Sequence, residues 1–332
     1  MVNDKINNLS SGVSLKNRIL GFLRSEPGTF FSGETLALRL GVSRVAVWKH
    51  IKALVKAGYP LESGGGGYSW KKEVLPLSEQ DDFLYPWEFG ERECFFHHLT
   101  STDSTMNRAA EMAARSCPGG TVISAEEQTA GRGRNGHTWV SQKGGLFFTL
   151  LERPSMTAAE YFRAALAFQT AAVRSLERLC GKQIRLRWPN DLYAETGKIA
   201  GLLTEFHAEG DRLQWISLGL GVNVNNVPYS KATNCSKLAG RPLSRQEVLL
   251  AILGEWEMMK KDIQTPGLHK EWNSLAWGIG KKAAAVESSS KTVFAKGTFM
   301  GIDEQGRGIL KGENQKRFSF NPGSVSFQFM EK

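Results

Sequence analysis

Apolar positions recur at helical spacing along the first sixty residues. Leu15, Ile19, Phe22 and Leu23 fall at i, i+4, i+7 and i+8, one face of a helix. Ser32 is placed to cap a second helix running through Leu36 and Leu40, since its hydroxyl can accept from a free N-terminal amide. Gly41-Val42 makes a tight turn, and Ser43 caps a third helix in which Val47, Ile51, Leu54 and Val55 share a face. Gly58 ends that helix. Two helices joined by a short glycine turn predict a helix-turn-helix. Tyr59-Pro60-Leu61-Glu62, the glycines Gly64 to Gly67 and Tyr68-Ser69-Trp70 then predict a hairpin with a glycine tip. The whole is a winged helix.

The pattern changes after a proline-bearing acidic stretch, Leu75-Pro76 through Asp81-Asp82 to Pro86. Ser101 to Asn107 leads into a helical run with Ala109, Ala110, Met112 and Ala113. Gly145 to Leu151 reads as a strand. Arg187 to Tyr193 and Gly197 to Glu205 read as two strands joined by a short turn, and Gly219 to Asn225 as a strand entering a polar turn. From Gly280 the chain becomes short strands and turns. The predicted organisation is a multidomain α+β chain. It has a winged head at 1–72, a linker at 73–86, a mixed α/β domain at 87–278 and a small β domain at 279–332.

At 332 residues the chain exceeds one ordinary core, so two or three domains are expected. No apolar run approaches the roughly 20 residues of a membrane helix, and Met1 to Gly12 is polar. Cys94, Cys117, Cys180 and Cys235 lie far apart without CxxC spacing. This argues against a zinc site or a disulfide framework, so no metal centre is expected and the setting is the reducing cytoplasm. The net charge of +9 suits a polyanionic partner or simply a basic enzyme. On the third helix Ser43, Arg44, Lys49, His50 and Lys52 would lie on or near the exposed side, where cations meet phosphate. Such a head either binds DNA or serves packing and dimerisation.

The most informative segment is Ser124 to Trp139, which contains Gly131-Arg132-Gly133-Arg134-Asn135-Gly136. The glycines satisfy GxGxxG, but a dinucleotide fingerprint needs a helix opening at them, and here a strand follows. The better reading is a flexible cationic loop that folds over an anionic ligand. Joining a carboxylate to a nucleoside triphosphate brings like charges together. At about 4 Å and an effective dielectric near 20, each unit pair costs roughly 4 kcal/mol. Arg132 and Arg134 can offset that cost and, by closing the loop, exclude water. Lys198 begins an otherwise apolar strand, so its ammonium either enters a pocket to meet an anion or reaches solvent from an edge. Gly201, three residues on, leaves room for a ligand against the backbone. Hydroxyls at Ser101 to Thr105 can cap the following helix or bind a polar ligand.

Together these pieces resemble the biotin protein ligases, in particular the bifunctional ligase and biotin-operon repressor type. The GRGRxGxxW loop stands at Gly131 to Trp139 and [KR]WPND at Arg187 to Asp191. K-x-x-G is Lys198 to Gly201, D-S-T is Asp103 to Thr105, and GxGxN is Gly219 to Asn223. The resemblance spans nearly the whole chain. It implies a central ligase domain of the class II synthetase-like type and a small C-terminal β-barrel.

It also implies site roles. Ser104, Thr105, Gln128, Gly131, Arg132, Gly133, Arg134, Lys198 and Gly201 would bind biotin. Arg132, Arg134, Asn190, Lys198 and Asn223 would bind ATP, with Mg²⁺ on its phosphates. Lys198, Arg132, Arg134 and Asp191 would serve catalysis. The acceptor would be a biotin carboxyl carrier protein, and the adenylate-loaded chain would form a homodimer and bind operator DNA. Departures from the common pattern occur at Met106, Asn135 and His137, and along the short segment Asn226 to Cys235, which resembles the adenine-side loop. Three rival readings stand beside this one: a ligand-sensing repressor without catalysis, a lipoate-type acyl ligase, and a ligase whose head no longer binds DNA.

Overall fold

A computed structural model describes residues 15–26, 28–56, 61–71, 96–287, 290 and 292–330. The predicted helix stop at Gly58, the Tyr59-Pro60 entry to the hairpin, the linker and Cys94 lie outside the described residues. Two compact units divide the chain, residues 1–96 and 97–332.

In the first unit, helices α1 (Leu15–Ser25), α2 (Gly33–Leu40) and α3 (Arg44–Lys56) precede strands β1 (Leu61–Gly64) and β2 (Gly67–Trp70). The predicted caps form: Ser32 Oγ accepts from Thr35 N at 3.0 Å and Ser43 Oγ from Ala46 N at 3.2 Å. Gly41 sits at φ 66°, a left-handed turn position that costs glycine little. Ile19, Leu23, Leu36, Val47, Ile51 and Leu54 close the core, with Leu15 and Phe22 packed against it. Val55 departs from the expected face. It is 47% exposed, because Leu54 already fills the inward position of the last turn. The hairpin pairs Leu61 with Trp70 and Gly64 with Gly67, leaving Gly65-Gly66 as its tip. Phe31 and Tyr68 exchange backbone hydrogen bonds at 2.9 Å, tying the hairpin to the chain before α2.

The second unit is built on a seven-stranded sheet. Its strands are β3 (Phe96–Thr102), β4 (Thr121–Gln128), β5 (Leu146–Glu152), β6 (Ile184–Arg187), β7 (Asp191–Ala194), β8 (Gly197–Glu209) and β9 (Arg212–Val222). Their order is β3-β4-β5-β9-β8-β7-β6, and the ladders from β4 to β6 are antiparallel. Helices α4 (Thr105–Ala114), α5 (Tyr161–Cys180), α6 (Cys235–Ala239), α7 (Arg245–Met259) and α8 (Leu268–Leu275) complete it.

Strand alternation decides which helix covers which face. Thr149 pairs with Gly219 and reaches α4, its Oγ1 donating to Thr105 Oγ1 at 2.9 Å. Phe148, one residue back, pairs with Leu220 and points the other way, where it meets Phe168 of α5 edge-on at 6.2 Å. Helices thus cover both faces. The site lies on the α4 face, where small residues on β8 and β9 leave space.

The last strands are β10 (Lys282–Val286), β11 (Val293–Ile302), β12 (Gly308–Lys311), β13 (Arg317–Phe320) and β14 (Ser326–Phe329). They form one antiparallel sheet, ordered β13-β12-β11-β10-β14. The expected barrel is not closed: no ladder joins the edges β13 and β14 among the described residues. Side chains rather than backbone bonds approach across the gap, with Phe320 and Phe327 at 6.0 Å between centroids. Phe327 also stacks on Trp188 at 4.4 Å, which seats this sheet against the turn between β6 and β7. Asn273 of α8 adds two hydrogen bonds to Ile302, at 2.8 and 3.0 Å. Among the described residues no helix is long and apolar enough to cross a membrane.

Candidate active site

The loop of the sequence motif is a small hairpin. Trp139 N donates to Gly131 O at 2.9 Å and Gly133 N to His137 O at 2.7 Å. Asn135 and Gly136 turn the tip at φ 53° and 74°, a conformation that asparagine and glycine tolerate better than other residues. Only a single 3-10 turn, Arg134–Gly136, forms at these glycines rather than an α-helix, and the chain runs on into β5.

The hairpin stands over the sheet, and its closing tryptophan reaches the strands. A Cβ on Gly201 would lie 2.9 Å from the Trp139 ring, and one on Gly221 would collide with it. Glycine at both positions therefore lets the indole lie against the sheet. Trp139 Nε1 is buried with no hydrogen-bond partner among the described residues.

Beneath the hairpin is a cavity of about 430 Å³, within the range of small-molecule sites. Arg132, Gly133 and Arg134 line it from the loop, Lys198 and Gly201 from β8, and Asn190 and Asp191 from the turn before and the start of β7. Ser104, Thr105 and Gln128 close the far end. Two segments more than sixty residues apart thus bring their cations to one space. Two expected residues do not line it. Gly131 is the hinge of the hairpin, packed on Trp139 O and Ser141. Asn223 is fully buried and donates from Nδ2 to Thr233 O at 3.1 Å and Lys198 O at 3.3 Å, holding the start of β8. Its Oδ1 has no hydrogen-bond partner among the described residues.

Lys198 is not an edge lysine. Strand β8 runs between β7 and β9, and the side chain is only 18% exposed. Its Nζ contacts Asp191 Oδ1 at 2.7 Å and stands 5.2 Å from the Trp139 ring centroid. Arg134 Nη1 donates to Asn190 Oδ1 at 3.1 Å. Burial pushes the Arg134 pKa down, and the charges of Asp191 and Tyr161 oppose that shift. Its Nη2 is buried with no hydrogen-bond partner among the described residues. Such a group is costly unless an anion meets it.

Arg132 is held differently. Its Nη1 donates to Asn107 Oδ1 at 2.9 Å and Glu205 Oε2 at 3.2 Å, and its Nη2 pairs with Glu205 Oε1. At the far end Gln128 Oε1 accepts from Thr105 N at 2.8 Å, and Gln128 Nε2 donates to Ser141 Oγ at 2.8 Å. Ser104 caps α4, accepting from Met106 N at 3.2 Å. Asn107 donates to Asp103 Oδ2 at 2.6 Å, the main reason the Asp103 carboxyl sits at about 2.

Sequence reasoning missed Glu205 and Asn107 as partners of Arg132, and Phe327, which lines the cavity from β14. Only long-range pairing brings these together, and no local pattern marks them. A second cavity of about 910 Å³ shares Arg187 and Tyr193 with the first and is lined also by Lys182, Arg185, Lys231 and Lys237. Among the described residues no group of three or more His, Cys, Asp or Glu side chains could hold a metal.

A glycine-rich hairpin thus stands over a cavity lined by cations from two separate segments, an arrangement suited to an enzyme with an anionic substrate. A sequence profile of the biotin/lipoate A/B protein ligase family matches residues 99–223, and one of an HTH domain matches residues 16–69. The bifunctional ligase/repressor BirA of Bacillus subtilis is 34% identical over 311 residues, covering 90% of this chain and 94% of its own length. That of Escherichia coli is 29% identical over 321 residues, covering 92% and 95%. The biotin protein ligase of Aquifex aeolicus in complex with biotin and ATP superposes with a TM-score of 0.60 at 26% identity. That match covers 71% of this chain and 99% of the other. The chain belongs to the biotin protein ligases, in the bifunctional ligase/repressor type.

Proposed function

We propose that this chain makes biotinyl-5'-AMP from biotin and ATP, passes the biotinyl group to a lysine of a biotin carboxyl carrier protein, and represses transcription through its head. The observation that carries the ligase reading is the shared cavity: Arg134 and Lys198 come from separate segments and line one space with a single carboxylate, Asp191, among the described lining residues.

Biotin takes the end lined by Ser104, Thr105 and Gln128, with Gly201 at its flank. Its carboxylate then faces Lys198. A carboxylate oxygen attacks the α-phosphorus, the bond to the β-phosphate bridge breaks, and pyrophosphate leaves. Lys198 and Arg134 stabilise the charge that develops, and Arg134 Nη2, without a hydrogen-bond partner among the described residues, supports a phosphate contact there. Arg132 joins them by releasing Glu205. Magnesium enters as part of the substrate, on the phosphates of ATP, with Asp191 the carboxylate able to touch it. Asn190 sits beside the phosphates. The cations of the adjoining cavity support a path for pyrophosphate. Asn223 Oδ1, buried with no hydrogen-bond partner among the described residues, supports a contact with the adenine amino group once the segment 226–234 lifts. In the second step the acceptor ε-amine attacks the acyl carbon, AMP leaves, and the amine proton passes to solvent.

The hairpin β1–β2 is read as the wing and α3 as the reader, with Ser43, Arg44, Lys49, His50 and Lys52 as DNA contacts. Repression through a homodimer requires the adenylate to favour the dimer-competent state. Domain boundaries at 72, 86 and 278 follow the compositional shifts, and helices on both faces of the antiparallel sheet support the class II synthetase-like reading. The setting is read as the cytoplasm, since the four cysteines show no disulfide spacing. Pyrophosphate release tests the proposal: with ATP and Mg²⁺ it should require biotin and not be replaced by lipoate. Equal release without biotin sinks the reading.

A further inference from the structure

The outward face of α3 carries more than cations. Burial of Val47, Ile51 and Leu54 turns Arg44, Val45, Trp48, Lys49 and Lys52 to solvent. Val45 is 71% exposed and Trp48 is 52% exposed. Spaced at i and i+3, they are neighbours on the first turns of the helix. Lys52 Nζ stands 5.1 Å from the Trp48 ring centroid, which keeps a cation beside the indole. Neither Val45 nor Trp48 belongs to the core of the three helices.

The surrounding charge says what covers this pair. Residues 44–56 hold four cations, Arg44, Lys49, Lys52 and Lys56, and no acid. The partner is therefore a polyanion that also offers apolar groups between its charges. Duplex DNA does so in the major groove, where phosphates form the rims and the thymine C5 methyl stands on the floor. Double-stranded RNA does not, because its deep, narrow major groove excludes side chains. In a helix-turn-helix the first residues of the reader are those that reach base edges.

We propose that Val45 and Trp48 read thymine methyl groups, so that the target duplex carries T·A pairs beneath the first half of α3. The cations then set register on the phosphates. This rests on the DNA-binding reading above and adds the bases it selects.

The test uses the full chain with biotin, ATP and Mg²⁺ to select binders from a random duplex library. Each thymine of the enriched site is then replaced by deoxyuracil, which removes the methyl and keeps the hydrogen-bonding edge. One buried methyl corresponds to about a fourfold change in Kd. Binding should weaken about fourfold at one or two positions in each half-site. The Val45→Ala protein should lose that discrimination at one of them. Indifference of the unaltered protein to every thymine-to-uracil change, or a site with only G·C pairs under α3, overturns the methyl reading and leaves DNA binding standing. Enrichment of no sequence, with weak salt-sensitive binding, also overturns it. Absence of any duplex binding removes the DNA-binding reading and this one together.

Discussion

Replacing Lys198 by methionine keeps most of the stem against the Trp139 ring and removes one positive charge from the cavity. The expected cost follows from where that charge sits. An ammonium about 4 Å from the α-phosphate, at an effective dielectric near 20, contributes roughly 4 kcal/mol. Every 1.36 kcal/mol is about tenfold in rate, so the full effect is about a thousandfold. Asp191, 2.7 Å from Nζ, already neutralises part of the charge. Halving the energy to about 2 kcal/mol sets a lower bound near thirtyfold.

The fold should tolerate the change, since a partly exposed pair is worth about 1 kcal/mol or less. The shift in Tm should stay within a few degrees. Single-turnover formation of pyrophosphate from saturating ATP and biotin reads the chemical step, and a melting curve on the same sample reads the fold. A rate within threefold of the unaltered protein, with an unchanged melting curve, refutes the electrostatic role of Lys198.

Gly221→Ala places a methyl where the Trp139 ring lies. It should cost about 1–3 kcal/mol by overpacking and raise KM for biotin; an unchanged KM in a steady-state titration contradicts the packing. Glu126→Gln removes the charge that Arg245, whose side chain is 4% exposed, meets at 2.7 Å while keeping an amide acceptor, and denaturant unfolding should show a loss of about 1–3 kcal/mol. Burial pushes the Glu126 pKa up, but bonds from His98 and Arg245 outweigh it and hold the group below its usual 4.5. With the folded pKa depressed, its contribution is complete above pH about 4.5 and fades as pH falls through the lower folded value. The Glu126→Gln variant should lack that component of acid sensitivity. Arg44→Ala should weaken binding to the selected duplex and lower the slope of log K against log salt by about one, measured by gel shift across a salt series. An unchanged slope removes Arg44 from the phosphate contacts.

What could be read in advance followed local rules. The caps at Ser32 and Ser43, the left-handed Gly41 and the i, i+4 stripe of α1 depend on residues within one or two turns, and they stand where the pattern puts them. For Lys198 the sequence left two options, a pocket or an exposed edge, and the interior position of β8 decides between them. Val55 misled because it follows Leu54 at the helix end, where two adjacent apolar residues cannot both face inward. The Arg132–Glu205 pair was hidden by 73 positions of separation. The seating of Trp139 on Gly201 and Gly221 joins three segments whose register is fixed only by the assembled sheet. The open edge of the C-terminal sheet was equally hidden, since strand lengths do not say whether the first and last strands meet.

The most direct measurement is to incubate the purified chain with ATP, Mg²⁺ and biotin and weigh what it holds. Bound biotinyl-AMP, formed only when both substrates are present and greatly reduced in Lys198→Met, is the predicted result. Recovery of unchanged biotin and ATP from a folded chain would contradict the central claim that the loop and strand β8 together form an adenylating site.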